Sequence, residues 1–118
     1  MTGVQTCALP IYLEKTPVAS VGPVIEHSPL FPARTNVSFV QCLSRTSAKM
    51  CEWERGAGQT LACGTGATAT VVSGILRGLF DKTVSVQMAG GTMTVSWDGL
   101  RNREADIYLS GPDRKSVG

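Results

Sequence analysis

The stretch Glu54–Ala69, ERGAGQTLACGTGATA, decides how this chain is read. It places four glycines, one cysteine and a Glu-Arg pair within sixteen residues. From Gly64 the sequence runs GTGATATVVSGILR, in which Arg77 is the one charge. That composition predicts a helix over Gly64–Arg77, and a helix apolar nearly all round has to be enclosed by other structure. Gly78 stands where a helix-terminating glycine belongs. Cys63 therefore falls where an enclosed helix begins.

Three chemistries compete for such a loop. Gly64-Thr-Gly66-Ala-Thr-Ala69 formally matches a dinucleotide fingerprint, but that motif needs a strand before it and a βαβ unit after it. Gln59–Cys63 is too short and mixed for the strand, and no Gly-Lys-Ser/Thr is present for a P-loop. A structural reading makes the glycines a tight turn and Cys63 a space-filler. A catalytic reading uses the bare N–H groups and partial positive charge of a helix start. These stabilise a thiolate at Cys63. The same N–H groups, with the Thr65 hydroxyl, can hold a carboxylate or a developing oxyanion. A thiolate beside such a cradle can remove a proton from the carbon next to the bound carboxylate. Acyl transfer would want a histidine partner, and His27, just before a Pro-rich turn, is a poor one.

Working outward, Thr16–His27 has apolar residues at helical intervals and is closed by SPLFP, where Pro29 and Pro32 forbid continuation. Asn36–Leu43 reads as a strand with Val37, Phe39 and Leu43 on one face. Ser44–Ser47 reads as a turn, and Ala48–Arg55 as a second strand delivering Glu54 and Arg55 at its end. Downstream, three alternating strands present Val84, Val86 and Met88, then Met93, Val95 and Trp97, then Ala105, Ile107 and Leu109. Cys42 and Cys51 fall in apolar strands and read as small buried hydrophobes. Five strands about one enclosed helix give an α+β expectation: a curved, mostly antiparallel sheet or barrel wrapped around a central apolar helix.

At 118 residues the chain suits one domain, and a net charge of +2 marks no nucleic-acid footprint. No apolar run approaches a membrane span. The four cysteines lack paired zinc spacing, so no metal is expected. Nothing in the sequence reads as a targeting signal, which makes the cytoplasm the expected location. MTGVQTCALPI, Met1–Ile11, shows no helical or strand periodicity and resembles translated adapter sequence, as does Asp113–Gly118. Both are read as non-native, leaving 12–112 as the domain.

PLFPARTNV (Pro29–Val37), CEWERGAGQTLACGTGATA (Cys51–Ala69) and RGLFDKTVSVQMAGG (Arg77–Gly91), in that order, resemble the C-terminal domain of diaminopimelate epimerases. The resemblance implies an isomerase of lysine biosynthesis that needs neither pyridoxal phosphate nor metal. Two cysteines act from opposite faces of the substrate α-carbon and interconvert LL- and meso-diaminopimelate. It implies that Cys63 is one of those thiols and that Gly64 and Thr65 hold the reacting carboxylate. Asn36 and Arg55 would bind the distal amino-acid head, and Glu54 would sit near the substrate amino groups and the reacting centre. His27 is read as surface. The loop that would carry the second cysteine, and an Asn-Pro-His segment expected before Tyr12, are not in this sequence. Gln59 and Thr68 also depart from the family's usual residues, at positions outside the implied contacts. The chain is accordingly expected to be one catalytic half, inactive and poorly soluble without its N-terminal domain. A homodimer in the intact enzyme is a further implication. The alternatives are an isomerase of the proline-racemase or hydroxyproline-epimerase type, or a non-catalytic carboxylate-binding domain.

Overall fold

The computed structural model describes the backbone of residues 6–10, and residues 17–60 and 64–111 in full. In chain order the elements are β1 (Thr6–Pro10), α1 (Val18–Glu26), β2 (Asn36–Ser44), β3 (Ser47–Glu54), β4 (Gly58–Thr60), α2 (Gly64–Leu76), β5 (Thr83–Met88), β6 (Gly91–Trp97) and β7 (Ile107–Ser110). One mixed sheet runs β1-β2-β3-β5-β6-β7, with β4 paired to β3 off that path. Four pairings are antiparallel and two, β1 with β2 and β3 with β5, are parallel. The α+β class and the mostly antiparallel sheet are as expected. Between β1 and β7 the described sheet does not close into a barrel.

Two strands were not legible. Residues 6–10 lack any strand pattern yet pair with β2 from Thr6↔Asn36 to Pro10↔Val40. Ladder hydrogen bonds are made by backbone, so an open sheet edge can recruit a segment whose side chains carry no signal. β4 is three residues long and shares the β3 edge with β5: Glu52–Glu54 take β4, and Ser47–Lys49 take β5. Both parallel pairs are bridged by a helix, as parallel strands require.

Those helices lie on opposite faces of the β2–β3 pair. Met50, Glu52 and Ser38 face α2, where the Thr70 hydroxyl meets the Met50 sulfur at 3.5 Å. Trp53 faces α1, where its ring lies against Gly22: a Cβ there would fall 2.5 Å from the indole. Coverage on both sides explains why Val37, Ser38, Phe39 and Val40 are all buried instead of alternating. Leu43, expected on the core face, is 45 % exposed, because β2 there runs past its helical cover. Cys42 is exposed for the same reason and Cys51 is half-buried, so neither is the core cysteine expected.

The main core joins Val40, Ala48, Met50, Ala67, Val71, Ile75, Phe80, Val84, Val86, Val95 and Trp97. It lies between α2 and the sheet face that β5 and β6 present with their predicted alternation. Gly78 ends α2 as expected, with φ 78° and the Leu79 N–H reaching back to the Gly74 carbonyl at 2.8 Å. Two expectations fail at β7. Ile107 and Leu109 stay 44 % and 46 % exposed, and the described residues do not enclose α2 all round. Its side Gly64, Thr65, Thr68, Ala69 and Val72 instead forms, with Ile107 and Leu109, an open groove of about 660 Å³. No helix of the described residues is long and apolar enough to cross a membrane.

Candidate functional site

The β2–β3 ladder fixes where the site residues lie. Its register pairs Cys42 with Ala48, Val40 with Met50, Ser38 with Glu52 and Val37 with Trp53, so Asn36 and Glu54 form the next rung on the α2 face. Along that face α2 descends in step with the strand: Thr70 meets Met50, and Gly66 meets Glu52. Four helical residues advance about 6 Å and two strand residues about 6.8 Å, so the two elements stay in register. The Asn36–Glu54 rung therefore lies beyond Gly66, towards the end of the domain at which α2 begins. The Asn36–Arg55 hydrogen bond brings those two residues together beside Glu54, while Gly64 and Thr65 begin α2 and line the groove with Ile107 and Leu109. Cys63 lies outside the described residues.

Each polar group has a defined partner. The Asn36 Oδ1 accepts the Arg55 backbone N–H at 2.6 Å, so its NH2 end is the one it can offer to a carboxylate. Arg55 is exposed, and one terminal nitrogen donates to the Ala33 carbonyl at 2.9 Å. The Nε and second terminal nitrogen remain as a planar fork for a carboxylate. Glu54 is half-buried and accepts from the Thr60 hydroxyl at 3.2 Å. Residues Glu54–Ala57 form a turn closed by the Ala57 N–H on the Glu54 carbonyl at 3.0 Å. Gly56 occupies its third position at φ 78°, the conformation that calls for glycine.

Three polar residues escaped the sequence reading. Glu52 is 1 % exposed, and Ser38, fully buried, donates to its Oε1 at 2.5 Å. That carboxylate lies against the first turn of α2, a favourable place for negative charge. Gly66 makes the approach possible: a Cβ there would sit 2.4 Å from Glu52 Oε1 and 3.0 Å from Ser38 Oγ. The third is Glu26, 3 % exposed, at the end of α1. Its Oε1 accepts from the Trp53 indole at 2.8 Å, and its Oε2 from the Gly56 N–H at 3.0 Å and Arg34 at 3.4 Å. The Trp53 hydrogen bond does most to hold the Glu26 carboxyl below its ordinary range, against the opposing effect of burial; the Gly56 N–H, His27 and Arg34 add to it. A signal existed for both acids. Glu52 is in phase with buried Met50 and Ala48, and Glu26 follows buried Gly22 by one helical turn.

The two described thiols contrast with what is expected of Cys63. Burial pushes the Cys51 thiol up, and the neighbouring Glu52 charge pushes it further. Desolvation also raises Cys42. Cys51 shares the α1 face with Phe39, and Cys42 lies six residues along β2 from Asn36, about 20 Å away. His27 is exposed, as expected. No cluster of metal-ligating side chains exists among the described residues.

A sequence model of the diaminopimelate epimerase family matches residues 1–115. The chain belongs to the diaminopimelate epimerase family. Among its relatives, the diaminopimelate epimerase of Burkholderia thailandensis is 52 % identical over 99 residues, covering 84 % of this chain and 34 % of the relative. That of Moorella thermoacetica is 50 % identical over 96 residues, covering 81 % and 33 %. That of Heliobacterium modesticaldum is 48 % identical over 100 residues, covering 85 % and 34 %. The chain thus spans about a third of the length of these diaminopimelate epimerases.

Proposed function

We propose that this chain supplies one catalytic half of an amino-acid epimerase acting on diaminopimelate, with Cys63 as one of its two acid–base thiols. The observation that carries the reading is the hydrogen bond that ties Asn36 to Arg55 beside Glu54, one rung beyond the Glu52 carboxylate that meets the first turn of α2. The first-turn N–H groups and the Thr65 hydroxyl take the carboxylate at the reacting carbon. Bound there, that carboxylate can accept electron density as the α C–H bond breaks. The Cys63 thiolate removes the α-proton and becomes a thiol, while a second thiol on the opposite face gives its proton to carbon and becomes a thiolate. The reverse reaction exchanges their roles, so atoms and charge balance without a cofactor.

The Arg55 fork and the Asn36 NH2 group hold the distal carboxylate, which selects a substrate with two amino-acid heads. Cys42 and Cys51 are both remote from this end, and their thiols are raised. Cys7, which pairs with Val37, belongs to the segment read as non-native, so the opposing thiol is assigned to the other catalytic half and the 118-residue chain alone is not expected to epimerise. The test is isomerisation of LL-diaminopimelate in D2O by the full-length enzyme carrying this segment. Cys63→Ser is expected to reduce turnover by about a thousandfold or more. Retention of turnover within about tenfold of the parent would refute the assignment.

A further inference from the structure

We infer that Glu26 is a positioning residue, whose carboxylate clamps the Glu54–Arg55 turn from the face of the sheet opposite the site. This inference rests on the reading of Glu54 and Arg55 as substrate-binding groups. Glu26 is the last residue of α1, where the helix dipole disfavours a carboxylate, and it is 3 % exposed, where burial disfavours a charge. A carboxylate set against both tendencies has to be held by its donors. Two of those donors, the Trp53 indole and the Gly56 N–H, bracket Glu54 and Arg55 in the sequence.

Three consecutive backbone donors of the turn are tied. Arg55 N–H goes to Asn36, Gly56 N–H to Glu26 and Ala57 N–H to the Glu54 carbonyl. Arg34, which also reaches Glu26, stands at φ 65°, so the loop entering β2 adopts a costly backbone conformation at the residue that completes the clamp. A turn fixed before substrate arrives presents the Arg55 fork without first having to be ordered. Glu26 itself, on the α1 side of β3, need not touch the substrate.

The experiment compares Glu26→Ala, Glu26→Gln, Trp53→Phe and Arg55→Ala in the full-length enzyme, reading kcat and KM for diaminopimelate separately. Glu26→Ala is expected to raise KM by about tenfold to a hundredfold with a smaller change in kcat, the size of effect a displaced binding group produces. Glu26→Gln, which keeps one acceptor, should recover part of that loss. Trp53→Phe, which leaves the Gly56 bond in place, should fall between Glu26→Gln and the parent. A Glu26→Ala enzyme that folds with an unchanged KM, while Arg55→Ala raises it, overturns the clamp and leaves the site reading standing. If Arg55→Ala also leaves KM unchanged, the site reading is what fails. Should the Glu26 variants not fold, amide exchange of Gly56 in the parent decides: slowing by about a hundredfold or more is expected, and exchange at the rate of an unstructured peptide overturns the inference.

Discussion

Gly66→Ala reverses the usual sign of a helix substitution. Alanine in place of glycine inside a helix stabilises by up to about 1 kcal/mol. At Gly66 the added Cβ would sit 2.4 Å from Glu52 Oε1, 2.9 Å from its Cδ and 3.0 Å from Ser38 Oγ. Both neighbours are buried, at 1 % and 0 % exposure, so neither can swing into solvent. Overpacking of this kind costs about 1–3 kcal/mol. Displacing the carboxylate also weakens a hydrogen bond to a charged group worth about 1.5–3 kcal/mol. Against the helix gain, the net expectation is a loss of about 2–3 kcal/mol, or roughly 10 °C in midpoint for a chain of this size. Urea unfolding followed by circular dichroism measures it. Combining Gly66→Ala with Ser38→Ala should cost less than the two separate losses by at least about 0.5 kcal/mol, since both act on one hydrogen bond. A Gly66→Ala chain as stable as the parent, or more so, would show that Glu52 does not abut the first turn of α2.

Ser38→Ala alone should destabilise by about 2 kcal/mol by withdrawing a donor from a buried carboxylate, read as a shift of urea midpoint at unchanged slope. The Glu26 carboxyl is lowered from 4.5, so the stability its charge contributes is complete above the unfolded value and lost as pH falls through the lower folded value. The gap in urea midpoint between the parent and Glu26→Gln should therefore hold steady through neutral pH and close below pH 4.5. A gap that widens with acid would reverse the sign of that linkage. Asn36→Ala, which also frees the Arg55 N–H, should raise KM for diaminopimelate in the full-length enzyme by about tenfold. An unchanged KM would remove Asn36 from the site.

What was legible follows from what each element rests on. α2 could be read because Gly64–Leu76 carries no charge, and β5 and β6 because one face packs on the core while the other is wet. β2 misled at Leu43 and Cys42, since alternation records coverage of one face and β2 is covered on both faces for part of its length, then on neither. β1 was invisible because its pairing is made by backbone. At the site, the motif was enough to pick out Asn36 and Arg55, which the structure joins by a hydrogen bond. Glu26, Ser38 and Glu52 were missed because single acidic and hydroxyl residues pass for surface. Their burial becomes evident only when strand and helix phases are read across neighbouring elements. Ile107 and Leu109 alternate like core residues, yet they line the open groove beside α2.

The most direct test of the central claim is the pH dependence of iodoacetamide alkylation, with each cysteine of the 118-residue chain resolved by peptide mass mapping. The account predicts that Cys63 reaches half-maximal reactivity at least about one pH unit below the ordinary thiol value of about 8.5. Cys42 and Cys51, both raised, should lag behind it as internal controls. A Cys63 that titrates with those two, or reacts only after denaturation, would contradict an activated thiol at the start of α2.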